Sequence, residues 1–462
     1  MTIWPPKREE LSRPAYHSLA QRLVQAIDAG EVPAGTRLPT HRALAFDLGL
    51  SVQTVSRAYE ELARLGVITA AVGRGSFVMA GTSDARLPWQ RPHRGEDLID
   101  CSLLVPVTGD RHADAATRLF RDLADNLPHD ALFSFRPNAA LQDHRRIALS
   151  WLEKCGLVVD SERVLPTNGN TSAMTVALMS AAKPGDLILA EELGHHTLPS
   201  LTSALGLKLS GLPMDKQGIL PQAIDRACEN GPVAAVLVQP AGVGPAAAVM
   251  GLERRKQVIE VARKHDIWIV ENDSWGPLDP TRLAPLAAMA PERVFYFTGL
   301  SKCVLPGLRM AWLVAPASKV SAVRNRHLVT NWMASPLIAE SASRWIKNGT
   351  AGDLLDWQRA QLKRRNQIAA RVLEGLEFSA NPYGLHVWLP LLGTWEEHDF
   401  VALARHDGIA VAGGSHFTTN GPLRTPAVRI CLGGGTEADL EHALKVISRL
   451  IRSPAEPAVL EI

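Results

Sequence analysis

Lys302 stands in the stretch Phe295-Tyr-Phe-Thr-Gly-Leu-Ser-Lys-Cys-Val-Leu-Pro-Gly-Leu-Arg309. The apolar run Val294 to Phe297 predicts a short buried strand. That strand delivers Thr298, Ser301 and Lys302 into a turn, and Pro306-Gly307 places Arg309 seven residues after the lysine. An amine in a desolvated or electropositive pocket sheds its proton and can add to a carbonyl as a Schiff base. Hydroxyls before it and an arginine after it can hold phosphate oxygens through charge-assisted hydrogen bonds. The set suits a carbonyl cofactor that carries a phosphate. A surface loop with an ordinary lysine and arginine would carry the same letters, so the surrounding elements have to decide.

Those elements alternate. Arg163 to Thr167, Leu187 to Ala190, Ala234 to Val238, Ile267 to Val270 and Val294 to Phe297 are short apolar runs, separated by helical patterns such as Ser172 to Ala182 and Glu253 to Lys264. A further helix is predicted over Ala139 to Lys154. Buried strands alternating with helices predict an α/β domain with a mostly parallel sheet, whose ligands bind at the carboxyl ends of strands. Each such end offers chemistry. Asn168-Gly-Asn170-Thr171 opens a helix whose free N–H groups would bind phosphate. His195 and His196 supply an imidazole that can stack on a flat ring. Glu271-Asn272-Asp273-Ser-Trp275 supplies a carboxylate that can keep a pyridine nitrogen protonated. Taken singly, these are a capping turn, a surface histidine and a strand-end acid; together they make a site.

The first 80 residues read differently. Helical spacing runs from Pro14 to Ile27 and stops at Gly30; Thr40 caps a helix to Leu48, and Ser51 caps a third from Val52 to Leu65. Two β runs joined at Gly73-Arg74-Gly75 follow, so the pattern is a helix-turn-helix with a wing. Ser51, Gln53, Thr54 and Arg57 sit where they could reach base edges and phosphates, and Arg42 and Arg74 could clamp the backbone. Nine Lys/Arg against seven Asp/Glu in residues 1–80 make any footprint local. A small helical docking domain with a hairpin would share this pattern. Residues 81–97, rich in Gly, Pro and charge, predict an exposed linker, and 98–462 form the large domain.

Composition excludes little but bounds the answer. A net charge of +2 gives no argument for bulk nucleic-acid or membrane attraction, and no run of about 18 apolar residues predicts a membrane span. Five scattered cysteines lack metal-ligand spacing and fit reduced thiols, and Met1 to Glu10 lacks a signal-peptide core, so a cytoplasmic location is expected.

Leu38-Pro-Thr-His-Arg42, Leu48-Gly-Leu-Ser51, Thr54-Val-Ser-Arg-Ala-Tyr59 and Gly73-Arg-Gly-Ser-Phe-Val78 resemble the winged helix of GntR regulators. The resemblance implies that Arg42, Ser51, Gln53, Thr54 and Gly73 contact double-stranded operator DNA. That family often has an arginine where this chain has Val52 or Gln53, so the operator sequence does not carry over. Ser301-Lys302 with Arg309, the order of strand-end groups, Gly384-Leu-His-Val-Trp-Leu-Pro390 and Arg429 resemble fold-type I, pyridoxal 5'-phosphate-dependent aminotransferases. The whole is identified as a member of the MocR-type regulators, which fuse the two. The resemblance implies a Schiff base on Lys302, cofactor contacts from Asn170, Thr171, His195, Trp275, Thr298, Ser301 and Arg309, and an effector carboxylate on Arg429. It also implies a homodimer and a small amine or amino-acid effector sensed by aldimine exchange.

The chain departs from the aminotransferase pattern in three places. Gly244-Pro-Ala-Ala247 replaces Asn-Pro-Thr-Gly, removing a donor to the cofactor's phenolic oxygen. Trp275 and His195 replace tyrosines. Asn272 falls at the acid position unless a one-residue shift brings Asp273 there, and the shift is the reading preferred, because an amide protonates pyridine poorly. Each hydrogen bond lost forfeits roughly 1 kcal/mol. The expectation is sensing rather than turnover, with a working aminotransferase, or a regulator whose large domain has lost the cofactor, as alternatives.

Overall fold

Four to six apolar residues in a row, with no alternation to polar ones, leave a strand nowhere to lie but between two layers. The computed structural model describes all residues except 1–3, 12–14, 29–30, 34–35, 65–67, 72–74, 79–97, 134–141, 392, 394, 422 and 454–462. The chain divides into two units, Met1–Pro92 and His93–Ile462.

In the first unit, α1 (Ala15–Asp28), α2 (His41–Leu48) and α3 (Val52–Arg64) enclose a core of Leu19, Leu23, Leu44, Val55, Tyr59 and Leu62. Each such buried aliphatic side chain contributes roughly 1.5–3 kcal/mol relative to exposure. Thr40 Oγ1 accepts from the Ala43 N–H at 3.2 Å, and Ser51 Oγ accepts from the Thr54 N–H at 3.1 Å, so both expected caps form. Between them Gly49 takes the left-handed conformation (φ 60°) that ends α2. The Tyr59 hydroxyl donates to the Pro39 carbonyl at 2.9 Å and locks α3 to the entrance of α2. β1 (Ile68–Ala71) and β2 (Gly75–Val78) pair antiparallel, and residues 36–38 bond the other edge of β2. The wing tip, with Gly73 and Arg74, lies outside the described residues, as does the linker 81–97.

In the second unit, β3 (Ile99–Asp100) is followed by seven strands of one sheet: β4 (Val164–Thr167), β5 (Leu187–Glu191), β6 (Lys208–Leu212), β7 (Ala235–Val238), β8 (Trp268–Asn272), β9 (Val294–Gly299) and β10 (Ala311–Val314). Their order is β4-β10-β9-β8-β7-β5-β6. β10 runs antiparallel to both its neighbours; the other pairings are parallel. Helix α4 (Asn170–Ala181) packs on one face against Leu237, Val270, Phe295 and Phe297. Val236, Ile269, Tyr296 and Trp151 fill the other. A smaller antiparallel sheet is built on β11 (His386–Pro390) and β13 (Ala427–Cys431), flanked by Ser379–Ala380 and Ala412–Gly413. One of its faces, with Val387, Leu389, Val428 and Ile430, is packed into a core. The other presents His386, Trp388, Arg429 and Cys431. β3 pairs in parallel with β12 (Ile409–Ala410), and the carbonyl of Cys101, just past β3, accepts from the Cys431 N–H of β13 at 2.7 Å.

Candidate functional site

The chain leaves β9 at Gly299 and turns back into β10, and Lys302 sits in that turn. Its amine donates to the Leu104 carbonyl. Burial pulls its pKa down from 10.5 to about 8; Cys431 opposes this, and Arg429 and Arg309 add smaller effects in the same direction as burial. Lys302 is thus far closer to a neutral nucleophile than a surface lysine. Ser301 beside it is buried.

Arg309 adopts a left-handed backbone (φ 37°) and lays its guanidinium over Gly169, where a Cβ would come within 2.8 Å of Nη2. Gly169 caps α4 without a side chain to fill the first turn, and Asn170 lies against Gly299, its Oδ1 buried with no partner among the described residues. Glycines where any side chain would intrude, an arginine and a helix start make an anion cradle beside the lysine. Thr171, next in that turn, is exposed.

Arg429 is buried, donates to the Ser102 carbonyl at 2.9 Å and stacks over the Phe417 ring at 4.4 Å, while its Nε finds no partner among the described residues. His195 and His196 stack with centroids 4.5 Å apart. The Thr197 N–H donates to His195 Nδ1 at 3.3 Å, so the ring proton is on Nε2. Burial, with Lys302 and Arg429 adding to it, drives the His195 pKa down to about 4, and burial with His195 drives that of His196 lower still. Both rings are neutral at physiological pH. His386 donates Nε2–H to the Pro245 carbonyl at 2.9 Å and stands edge-on to Trp275.

Strand alternation separates the remaining candidates. Asn272 follows Val270 onto the face covered by α4. Asp273 turns to the opposite face, where Oδ2 accepts from Arg282 Nη2 at 2.6 Å and from the Tyr296 hydroxyl at 2.5 Å. Asp273, the acid preferred from sequence, therefore lies on the face away from α4, because the pleat sends successive side chains to opposite faces and Arg282 holds the acid there. Thr298 likewise points away from the α4 face, against Gly276. Trp275 is a core residue whose indole N–H has no partner among the described residues. Sequence reasoning missed Gln239, Ser274, Phe417, His386 and the carbonyls of 102 and 104. Their letters are ordinary, and tertiary packing alone brings them together.

In the first unit Arg42, Ser51, Gln53 and Arg57 are exposed and Thr54 is half-buried. Thr54 Oγ1 is 2.8 Å from Ser51 Oγ, and Arg57 lies over the Tyr16 ring at 4.8 Å. Caps and ring contact orient these side chains from the start of α3.

Comparison with known proteins places both units. The family model "Aminotransferase class I and II" matches residues 119–447, and "Bacterial regulatory proteins, gntR family" matches 15–78. The chain belongs to the aminotransferase class I and II family, with a gntR-family segment ahead of it. This MocR-type chain is 28% identical over 455 residues to the HTH-type transcriptional regulator YdeF of Bacillus subtilis, covering 97% of this chain and 96% of that one. It is 22% identical to the HTH-type transcriptional regulator TauR of Rhodobacter capsulatus (94% and 96% covered) and 25% identical to MocR of Rhizobium meliloti (73% and 72%). Among solved structures, an archaeal alanine:glyoxylate aminotransferase superposes with TM-score 0.71 at 21% identity, covering 78% of this chain and 91% of that one. The MocR-type assignment and the mostly parallel α/β fold therefore stand. Among the described residues no helix is long and apolar enough to cross a membrane.

Proposed function

We propose that this protein is a transcriptional regulator that binds double-stranded DNA through its first unit, holds pyridoxal phosphate at Lys302, and responds to a small amine or amino acid. The observation that carries this reading is the buried Lys302 amine, its pKa lowered to about 8, beside the anion cradle of Arg309, Gly169 and Asn170, in a chain that also bears a winged helix. The cradle fits a phosphate dianion, and the lysine fits a carbonyl. When bound, the cofactor supplies an electrophilic carbon that an amine can exchange onto.

The chain's own residues supply the rest. Arg309 and the first turn of α4, with Asn170 and Thr171, bind the phosphate, and His195 offers a neutral ring face for stacking. Arg429 binds the effector carboxylate, with Phe417 beneath its guanidinium. Gly244 offers no donor to the cofactor's phenolic oxygen, and Trp275 stands where a tyrosine would. These are departures that favour holding over turnover.

Lys302 and Arg429 both donate to one short segment, at the carbonyls of Leu104 and Ser102. A carboxylate drawn to Arg429 competes with the Ser102 carbonyl, and carbonyl chemistry at Lys302 competes with that of Leu104. Residues 102–104 follow the linker through β3, so occupancy of the site acts on the stretch of chain that leads to the DNA-binding unit. An effector shifts the equilibrium only by its preference for one state over the other.

The test is operator binding by fluorescence anisotropy in the presence of pyridoxal phosphate, with candidate amino acids added in turn. One of them should change operator affinity for wild type and leave Lys302→Ala unaffected. Equal responses from both proteins, or sustained keto-acid production as the only response, would overturn the reading.

A further inference from the structure

We infer that Asn272 meets the ring nitrogen of pyridoxal phosphate as a hydrogen-bond donor, so that this site holds the nitrogen unprotonated. This rests on the cofactor reading above and sharpens it.

Position comes from the pleat. β8 ends at Asn272, between β7, which leads to Gln239, and β9, which leads to Lys302. The Asn272 side chain lies on the face covered by α4, the helix whose first turn forms the anion cradle. Asp273, the nearest acid in sequence, is bound to Arg282 and Tyr296 on the other face. It cannot turn back without stranding a buried arginine.

Polarity comes from a backbone donor. An amide's oxygen and nitrogen are hard to tell apart by shape, but a main-chain N–H can only donate. The Ser274 N–H reaches one atom of the Asn272 amide at 3.1 Å, and the Ser274 hydroxyl reaches the same atom at 2.5 Å. That atom is therefore Oδ1, and the nitrogen faces away from Ser274. Nδ2 donates one hydrogen to Gln239 Oε1 at 3.4 Å. Gln239 is oriented in turn by Glu191, whose carboxylate oxygens accept from the Gln239 main-chain N–H at 3.4 Å and from Nε2 at 3.1 Å. The chain of donors runs one way, from Asn272 through Gln239 to Glu191.

One hydrogen on Asn272 Nδ2 is left, on a residue only 1% exposed, with no acceptor among the described residues. Buried donors are almost always paired, so the missing partner is an acceptor. A neutral pyridine nitrogen offers a lone pair. A pyridinium is itself a donor, and two donors face to face repel. The ring nitrogen of this cofactor is therefore held as the free base, in contrast to sites that set an acid against it. A neutral ring withdraws electrons less, which suits exchange of amines on the cofactor more than removal of a proton from carbon. Asn272 is the contact; Ser274, Gln239 and Glu191 are positioning residues that fix its direction.

The experiment is nitrogen-15 NMR of the full-length protein loaded with ring-labelled pyridoxal phosphate. Wild type should show the resonance of an unprotonated pyridine, unchanged through neutral pH, and Asn272→Asp should shift it to the pyridinium position while keeping the Lys302-dependent absorbance. A pyridinium resonance in wild type overturns the inference about Asn272 and leaves the cofactor reading intact. No Lys302-dependent absorbance on adding the cofactor overturns both. Because wild type alone decides between the two protonation states, a poorly folding variant does not weaken the test.

Discussion

Lys302 differs from a surface lysine in one measurable way, its readiness to lose a proton. Burial lowers its pKa to about 8, so the neutral amine is abundant near physiological pH. The rate of pyridoxal phosphate capture by the cofactor-free protein should accordingly rise through a midpoint near pH 8, not near the ordinary 10.5; stopped-flow absorbance across pH 6–11 checks this. The same shift acts on stability. Between about pH 8 and 10.5 the unfolded chain carries a proton at Lys302 that the folded chain has released, so the cofactor-free protein gains stability as pH rises through that window. A second residue-scale prediction concerns Asp273. Its carboxylate is fully buried and Arg282 is its charged partner, so Arg282→Leu leaves a charge uncompensated. The loss should be about 3–5 kcal/mol, read from chemical denaturation of the second unit.

At the scale of elements, caps and pleats do the positioning. Thr40 closes the first turn of α2, and Thr40→Ala should destabilise the first unit by about 1 kcal/mol, seen as a lower midpoint for its unfolding. Much of this level was legible in the sequence. The caps at Thr40 and Ser51 and the stop at Gly49 follow from local chemistry, and the strands that run through Leu165, Leu237 and Phe297 follow from short apolar runs. β6 was not legible, because Lys208-Leu-Ser-Gly-Leu212 is an edge strand with polar letters, nor was β10, hidden just beyond Arg309. At the site, Lys302 and Arg309 could be read from residue type and spacing, and Arg429 only through the resemblance to aminotransferases. The face of Asn272 and Asp273 could not, since a one-residue slip reverses every side chain and only the pairing of β8 with its neighbours fixes it. Ser102 and Leu104 were invisible for another reason: they act through backbone carbonyls, which every residue has.

For the whole molecule, a gntR-family winged helix and an aminotransferase-family domain share one chain. Arg42 is exposed at the start of α2, and Arg42→Ala should weaken operator binding and reduce the slope of log affinity against log salt by about 1, without altering cofactor absorbance. A change in that absorbance would mean that the substitution disturbs more than DNA contact. The central claim is that Lys302 holds pyridoxal phosphate, and it is most directly tested by titrating the cofactor into purified wild type and Lys302→Ala while recording the visible spectrum. The expected result is a visible band from lysine-bound cofactor in wild type, bleached when borohydride reduces the imine, and absent in the variant. The same spectrum from both proteins, or no band from either, would contradict it.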